Sequence, residues 1–260
     1  MWPDGKRCGF VMSFDFDAEE VWIGEDPANE GRPGVLSQGT YSPKVAVPAI
    51  LELLDRRGLT ATFYVPGRDA ERHPDSIRSI VAAGHEIGHH GYTHTSPLHL
   101  TPEQERDELE RGLQILGALG GEVVGYRSPS WDFSPITLSL LAEHGFRYSS
   151  NMMDDIRPYR HADHDLVELP VHWILDDAPH CWFDNATWDK TIRTPAEVEE
   201  LWRGEFEGIR DLGGLIMLTT HPQIIGRPGR LRMLDDFLGW VQEQPDVWVG
   251  TAREAADLWA

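Results

Sequence analysis

The chain has 260 residues, of which 40% are hydrophobic and 25% are charged, proportions typical of a globular protein with a substantial core. Its 43 acidic and 23 basic residues give a formal net charge of −20, which opposes binding to nucleic acid or to an anionic membrane. The two cysteines, Cys8 and Cys181, have no CxxC neighbour, so we expect reduced thiols and no cysteine-based zinc site.

The N-terminal segment MWPDGKRCGFVMSF lacks the apolar core of a signal peptide. No apolar stretch approaches the roughly 20 residues that a membrane-spanning helix needs. We therefore expect a cytoplasmic protein with no membrane partner. The length fits one α/β barrel better than two smaller units, so we expect a single domain over residues 1–260.

Short apolar runs alternate with segments of helical pattern along the whole chain. This alternation predicts a parallel α/β sheet, and about seven such units favour a barrel-like closure. The predicted strands are CGFVMSF (8–14), TATFYVP (60–66), EVVGYRS (122–128), FRYSS (146–150), LVELPV (166–171), GLIMLTT (214–220) and DVWVG (246–250).

Helix boundaries are predicted from capping residues and prolines. A Ser or Thr before a proline predicts helix starts at Ser42, Thr101, Ser134 and Thr194. Glu197 and Glu254 complete capping boxes with Thr194 and Thr251, and Gly58 is a predicted C-cap. Two longer segments, 19–41 and 151–165, have no strand or helix pattern, so we expect irregular loops that wall a functional site.

The first predicted strand ends in two aspartates, in the sequence SFDFDAE. Asp15 and Asp17 are two residues apart, so on an extended chain their side chains point the same way. A buried carboxylate is costly unless it is paired or bound to metal, and the active sites of such barrels lie at the carboxyl ends of the strands. Solvated loop acids are the alternative.

Residues 85–94, HEIGHHGYTH, contain four of the 12 histidines of the chain. His90 and His94 are four residues apart, and neutral imidazoles at this spacing can bind zinc from one face of a turn. The alternative is that these histidines are packed in the core or exposed at the surface without binding metal. With one aspartate the pair would form a two-His, one-carboxylate set that leaves positions for water and substrate. We expect His85 and His89 to have supporting roles.

Two more polar residues follow predicted strands. Arg127, in YRSPSW, would orient a nearby carboxylate by a bidentate contact, or would otherwise be a surface arginine. His221, in LTTHP, would be a general acid, or would otherwise be a core histidine bonded to backbone. Because these residues and the aspartates and histidines above all follow strands, one barrel would bring all six to the same rim.

In this order the motifs resemble those of the polysaccharide deacetylase family, the NodB-homology fold of carbohydrate esterase family 4. SFDFD is similar to the first motif of the family, HGYTH to the second, RSPSW to the third and LTTH to the fifth. ELPVHWILDD is the counterpart of the fourth motif, with either Asp176 or Asp177 in its acidic position. The resemblance extends from residue 13 to residue 221 and implies a distorted (β/α)7 barrel.

The resemblance also implies roles for eight residues and one divalent metal ion, for which Zn²⁺ is the favoured identity. The implied metal ligands are Asp17, His90 and His94. The implied catalytic residues are Asp15 as base, Arg127 as the residue that orients this base, and His221 as acid. The implied substrate-binding residues are Trp131 and Trp173, and Tyr41 is added because a backbone N–H near Tyr41 or Trp131 would stabilise the oxyanion formed in the reaction.

The chain also departs from the common family pattern. Phe16 separates the two aspartates, Gly91 replaces a hydroxyl residue of the second motif, and the segment after Glu19 is an insertion. These departures are similar to a branch that contains cytoplasmic peptidoglycan-deacetylase-like proteins, allantoinase-like proteins and cyclic imide hydrolases. Members of this branch are often homotetramers with a small closed pocket.

The resemblance therefore implies a hydrolase of a C–N bond other than a peptide bond. The favoured substrate is an N-acetylated sugar, and the alternative is a small cyclic imide or ureide. A catalytically silent protein that binds metal or glycan is a further alternative. The retained Asp15 and His221 argue against it, because a binding protein needs neither a base nor an acid.

Overall fold

The computed structural model describes residues 2–184 and 187–260, which form a mixed α/β fold around one sheet. The strands are β1 (Cys8–Asp15), β2 (Thr62–Val65), β3 (Glu86–His89), β4 (Gly125–Tyr126), β5 (Tyr148–Ser149), β6 (Tyr159–Arg160), β7 (Val167–Glu168), β8 (Leu215–Thr220) and β9 (Val247–Gly250). The α-helices are α1 (Glu20–Glu25), α2 (Pro33–Gly39), α3 (Val47–Arg57), α4 (Gly67–Arg72), α5 (Pro74–Ala82), α6 (Pro102–Ala118), α7 (Thr137–Glu143), α8 (Ala178–Cys181), α9 (Pro195–Leu212), α10 (Pro222–Ile225), α11 (Pro228–Gln242) and α12 (Ala252–Asp257).

The sheet has the strand order β6-β7-β5-β4-β3-β2-β1-β8, and β9 pairs with the first half of β1. Every strand pairing is parallel except β6 with β7. A parallel bridge between Asp176 and Thr219 joins the segment after β7 to β8, so the sheet curls toward closure. The architecture agrees with the predicted distorted barrel, and it directs the carboxyl ends of the parallel strands to one rim.

The core lies between this sheet and the surrounding helices. All eight residues of β1 are buried, as expected for a central strand that is covered on both faces. Phe14 of β1 stacks on Phe63 of β2 with ring centroids 4.7 Å apart. On the helix side, Trp202 and Phe237 pack edge to face at 5.7 Å. Each such buried side chain contributes about 1.5–3 kcal/mol to the folded state, so the strand that carries the aspartates is firmly anchored.

Most predicted helix caps are present. Thr101, Thr194 and Thr251 form capping boxes, and Gly58 ends α3 with a left-handed φ of 63°. The predicted start at Ser134 is wrong, because α7 begins at Thr137. The Ser134 hydroxyl bonds instead to the backbone N–H of Ile136 and to the carboxylate of Glu105.

The predicted start at Ser42 is also displaced. The backbone is already helical at Tyr41, and a π-helical turn over Ser42–Ala46 leads directly into α3. The Ser42 hydroxyl donates to the side chain of Gln223 and does not cap the helix. Tertiary contacts therefore replace the local capping bonds at both Ser42 and Ser134.

The segment over residues 19–41 is not an irregular loop. It consists of α1, a 3₁₀ turn over Pro27–Gly31 and α2, and Asp26 caps the turn by accepting from the N–H of Ala28 at 2.9 Å. The segment over 151–165 is mostly irregular, as predicted, apart from β6. The sequence analysis also missed β3, whose four residues EIGH mix polar and apolar types and have no run of apolar residues.

Cys8 and Cys181 are both buried free thiols, as predicted. Within residues 2–184 and 187–260, no helix has the length and apolar character to cross a membrane.

Candidate active site

The carboxyl ends of four parallel strands bring the predicted polar residues together. Asp15 ends β1, His90 follows β3, Arg127 follows β4 and His221 follows β8. A cavity of about 370 Å³ lies at this rim. The sequence-predicted residues that line it are Asp15, Asp17, His90, His94, Trp131, Trp173 and His221.

Asp17 lies beside both histidines of the HGYTH motif. Its Oδ1 is 3.4 Å from Nε2 of His90 and 3.6 Å from Nε2 of His94. Ligands about 2.1 Å from one tetrahedral ion are about 3.4 Å apart, so this spacing fits a shared metal. The same oxygen is buried and has no hydrogen-bond partner among the described residues, which is unfavourable unless a cation or proton compensates it.

The two imidazoles are oriented as metal ligands. His90 Nδ1 lies 2.7 Å from the carbonyl oxygen of Arg127 and donates to it, so the unprotonated Nε2 faces Asp17. Burial lowers the pKa of His90 to about 4 and lowers the pKa of His94 well below its usual value. Both rings are therefore neutral at pH 7, which is the form that binds metal.

The turn between these histidines is held by residues outside the motif. His94 has a left-handed φ of 53° and Gly91 one of 73°. The carboxylate of Glu108 accepts from the backbone N–H of Tyr92 at 2.8 Å and of Thr93 at 2.7 Å. Sequence analysis missed Glu108, because it lies on α6 and no local pattern links it to the turn.

His89 contacts this turn, whereas His85 lies at the other end of β3, so the predicted supporting role of His85 has no geometric support. His89 Nδ1 accepts from the N–H of Gly91 at 3.0 Å, and its Nε2 donates to the carbonyl of Leu109 at 3.1 Å. Burial lowers the pKa of His89 to about 3, so its ring is neutral. His85 Nδ1 accepts from the N–H of Ala61 at 3.3 Å.

Arg127 is fully buried and holds Asp15 in place. Its Nη1 donates to Asp15 Oδ1 at 2.7 Å and to Ser13 Oγ at 3.0 Å, and its Nη2 donates to Ser150 Oγ at 3.1 Å. The contact with Asp15 is therefore made by one nitrogen, and the predicted bidentate contact is wrong because Ser150 takes the second nitrogen. The guanidinium also lies 4.0 Å from the ring centre of Tyr64, so its position is fixed from several sides.

His221 is joined to a pair of adjacent acids. Its Nδ1 donates to Asp177 Oδ1 at 2.7 Å, while its Nε2 lies 3.5 Å from Asp17 Oδ2. Burial opposes the charged imidazolium, but the carboxylates of Asp176 and Asp177 outweigh it and raise the pKa of His221 well above its usual value. Asp177 therefore holds the Nδ1 edge of the ring, and the Nε2 edge faces Asp17.

The pair Asp176–Asp177, which the sequence left open, divides into two environments. Asp177 bonds both the ring and the backbone N–H of His221. Asp176 lines the cavity, lies 3.7 Å from His221 Nδ1, and accepts from the N–H of Ala178 at 2.7 Å. Burial raises the pKa of Asp176 to about 7 and that of Asp17 well above its usual value, with neighbouring carboxylates contributing. A bound cation would offset this accumulation of acids.

Aromatic side chains form much of the cavity wall. Trp131 and Trp173 have ring centroids 4.4 Å apart, and Trp173 is 44% exposed. Ser130 and Trp131 both have left-handed φ values, 64° and 53°, and such strain is concentrated at functional sites. Trp182 also lines the cavity, although the sequence offered no motif to identify it.

Tyr41 does not lie among the residues that line this cavity. Its hydroxyl donates to the carbonyl of Gly226 at 3.0 Å, and the guanidinium of Arg227 covers its ring at 3.8 Å. The predicted substrate-binding role of this side chain therefore has no geometric support, because the helical segment before it directs the ring away from the rim.

Comparisons with known proteins agree with this geometry. The polysaccharide deacetylase family model matches residues 39–149. A peptidoglycan deacetylase of Helicobacter pylori is 31% identical over 97% of this chain and 96% of its own length.

Solved structures with the same fold are also found. A Mycobacterium smegmatis protein assigned to the polysaccharide deacetylases is 45% identical, with a TM-score of 0.96 over 99% of this chain and 92% of its own. Puue allantoinase shares the fold at a TM-score of 0.86 and 24% identity, over 99% of this chain and 92% of its own.

Proposed function

The chain belongs to the polysaccharide deacetylase family, and from this premise we propose that it removes the acetyl group from the amide of an N-acetylated sugar. It is a hydrolase of a C–N bond other than a peptide bond. The observation that carries the proposal is one cavity lined by Asp15, by His221 and by the three atoms of the Asp17–His90–His94 cluster. A base, an acid and a cation site on one small volume are what amide hydrolysis requires.

We propose that Asp17, His90 and His94 hold one divalent ion, with Zn²⁺ favoured. When bound, the ion lowers the pKa of a coordinated water and polarises the amide carbonyl. Two observations support this assignment: Asp17 Oδ1 has no hydrogen-bond partner in the described part of the chain, and the Nε2 atoms of the two neutral histidines face it. The bond from His90 Nδ1 to a backbone carbonyl fixes the ring orientation, as second partners of metal-bound imidazoles do.

The base and the acid act from separate parts of the rim. Asp15 Oδ1 is held by Arg127, so Oδ2 is the atom that takes the proton of the attacking water. His221 gives its Nε2 proton to the leaving nitrogen, while Asp177 holds the opposite edge of the ring. The buried ring of Trp131 and the exposed ring of Trp173 form an apolar wall against which a sugar face can pack.

The size of the cavity bears on the substrate. About 370 Å³ is near the lower end of volumes typical of small-molecule sites. This supports a substrate of one or two rings, and it keeps a cyclic imide or ureide as the second candidate. A panel of N-acetylglucosamine oligomers, succinimide, hydantoin and allantoin separates the two, because the favoured proposal requires acetate release from the first group.

We further propose that residues 1–260 act as one catalytic domain in a cytoplasmic homotetramer. The family resemblance supports this assembly, and the two buried free thiols are consistent with a reducing compartment. Light scattering coupled to gel filtration tests the tetramer, and a monomer at micromolar concentration would contradict it.

Two substitutions test the roles of the base and the acid. Asp15→Asn and His221→Ala should each abolish acetate release while the protein retains about one equivalent of metal. Turnover at the wild-type rate by either variant would refute its assigned role. Wild-type protein that binds metal but hydrolyses neither acetamides nor imides would instead favour the catalytically silent alternative.

A further inference from the structure

A second cavity, of about 450 Å³, adjoins the active-site cavity. The two share Trp182, which lines both and stacks on Trp22 with ring centroids 5.3 Å apart. Trp182 is therefore the wall that the two cavities share. We call this volume the arginine cavity, after Arg193, Arg227 and Arg230 in its wall.

The charge of the arginine cavity is opposite to that of the protein. The chain has 43 acidic and 23 basic residues, yet in the part of the chain that the structure describes three arginines and no carboxylate line this volume. Among the described residues, none of the three has an acidic partner within 4.0 Å. Arg227 Nε and Arg230 Nη1 donate instead to the backbone carbonyls of Gln223 and Ile224, at 3.4 and 3.3 Å. The three guanidinium groups thus have no direct ion pair within residues 2–184 and 187–260, although Arg230 and Arg193 lie near enough to Asp177 and Glu197 to act on the pKa values of these acids.

A buried donor without a partner lies in the same wall. Gln223 is 5% exposed, and its side-chain oxygen accepts from Ser42 at 2.9 Å. Its Nε2 has no hydrogen-bond partner among the described residues. A buried N–H group left without a partner costs about 1–3 kcal/mol. An acceptor that reached this N–H would remove that cost.

The start of α11 adds a third source of positive potential. Its N-cap residue, Arg227, gives no side-chain cap, and no acidic residue lies in its first turn. A helix N-terminus attracts anions, and acidic residues usually occupy it. Here Arg227 and Arg230 flank it, and the space beside Gly229 is open, since an added Cβ would meet no atom within 4 Å.

We propose that the arginine cavity binds a carboxylate or phosphate group of the substrate whose acetamide is hydrolysed in the adjacent site. This inference rests on the proposed function and narrows it to anionic N-acetylated sugars. Unpaired guanidinium groups, a free amide N–H and an open helix N-terminus are the donors that recognise an oxyanion. The net charge of −20 gives no general attraction for anions, so this local site would supply the selectivity.

The test compares metal-loaded wild type with Arg230→Gln and Gln223→Leu. Arg232→Gln is the matched control, because it removes the same charge from the same helix but does not line the cavity. Initial rates are measured at constant ionic strength with N-acetylglucosamine, N-acetylglucosamine 6-phosphate and N-acetylmuramic acid. Binding of inorganic phosphate is measured in parallel by calorimetry, so that the site is also tested without turnover.

We expect wild type to prefer at least one anionic sugar over N-acetylglucosamine in kcat/KM. Arg230→Gln should lower this preference about tenfold, as for one lost charge-assisted hydrogen bond. It should weaken phosphate binding similarly, and Arg232→Gln should change neither quantity. The rates with N-acetylglucosamine 6-phosphate and with N-acetylmuramic acid show whether the cavity accepts a phosphate or a carboxylate.

Three results would overturn the inference. The first is equal kcat/KM for neutral and anionic sugars in wild type. The second is phosphate binding that is insensitive to Arg230→Gln, which would place the anion elsewhere. The third is phosphate binding that depends on Arg230 with no effect on substrate preference, which would make the site one for a free anion. Loss of all acetamide turnover with intact Arg230-dependent phosphate binding would instead refute the proposed function alone.

Discussion

Replacing Asp177 by Asn should slow hydrolysis without removing the metal. The Asp177 carboxylate accepts from His221 Nδ1 at 2.7 Å and from the His221 backbone N–H at 3.1 Å. Asn keeps the shape and one acceptor oxygen but removes the negative charge that holds the protonated ring. A hydrogen bond between charged partners contributes about 1.5–3 kcal/mol, and each 1.36 kcal/mol corresponds to tenfold in rate. We therefore expect kcat to fall roughly 10- to 150-fold.

The assay is acetate release at saturating substrate, together with metal content by elemental analysis. Metal content should stay at the wild-type level if Asp17, His90 and His94 are the ligands. Loss of metal would point instead to the neighbouring group Asp176, Asp177 and His221. Asp163→Asn, at an exposed acid, is the control for loss of one negative charge. A kcat for Asp177→Asn within twofold of wild type would refute the account of His221 as an acid positioned by this carboxylate.

Three further substitutions test the metal turn, the cavity wall and the core. A Cβ at Gly24 would lie 2.9 Å from the carbonyl oxygen of His94, so Gly24→Ala should raise the Kd for zinc at least tenfold. Gly34 has open space beside it, so Gly34→Ala is the control and should leave this Kd unchanged. A chelator competition assay measures both values. Trp173→Ala should raise KM several-fold with kcat little changed, and an unchanged KM would exclude the exposed ring from binding. Trp202→Ala should lower the free energy of unfolding by about 3–5 kcal/mol in urea titrations, since the side chain is fully buried; a loss below 1 kcal/mol would contradict the packing described.

The sequence predicted the convergence of the polar residues that lie at or just after the end of a predicted strand, namely Asp15, Asp17, Arg127 and His221. His90 and His94 follow β3, a strand that was not predicted. In a parallel sheet, strand direction alone determines which rim a residue reaches. Asp15 and His221 are more than 200 residues apart along the chain, yet β1 and β8 are neighbours and both residues line one cavity. For these two residues the strand pattern was enough, because the direction of each strand, and not side-chain packing, determines the rim that its last residues reach.

Other features depend on contacts between distant segments. Asp176 and Asp177 are adjacent and chemically identical, so only the position of His221 distinguishes them. The ring of Tyr41 does not reach the cavity, because the segment before it is helical and turns the ring toward Gly226. Trp182 and Glu108 lie at the site without belonging to a motif, because each contacts residues of other elements that no local pattern links to it.

Acetate release from N-acetylated sugars, measured before and after metal removal, tests the central claim most directly. Wild-type protein should release one acetate per amide cleaved, lose this activity on chelation and regain it with one equivalent of Zn²⁺. An Asp17→Asn variant should neither bind that equivalent nor regain activity. Full acetate release by the chelated protein, or by Asp17→Asn, would contradict a hydrolytic site built on Asp17, His90 and His94.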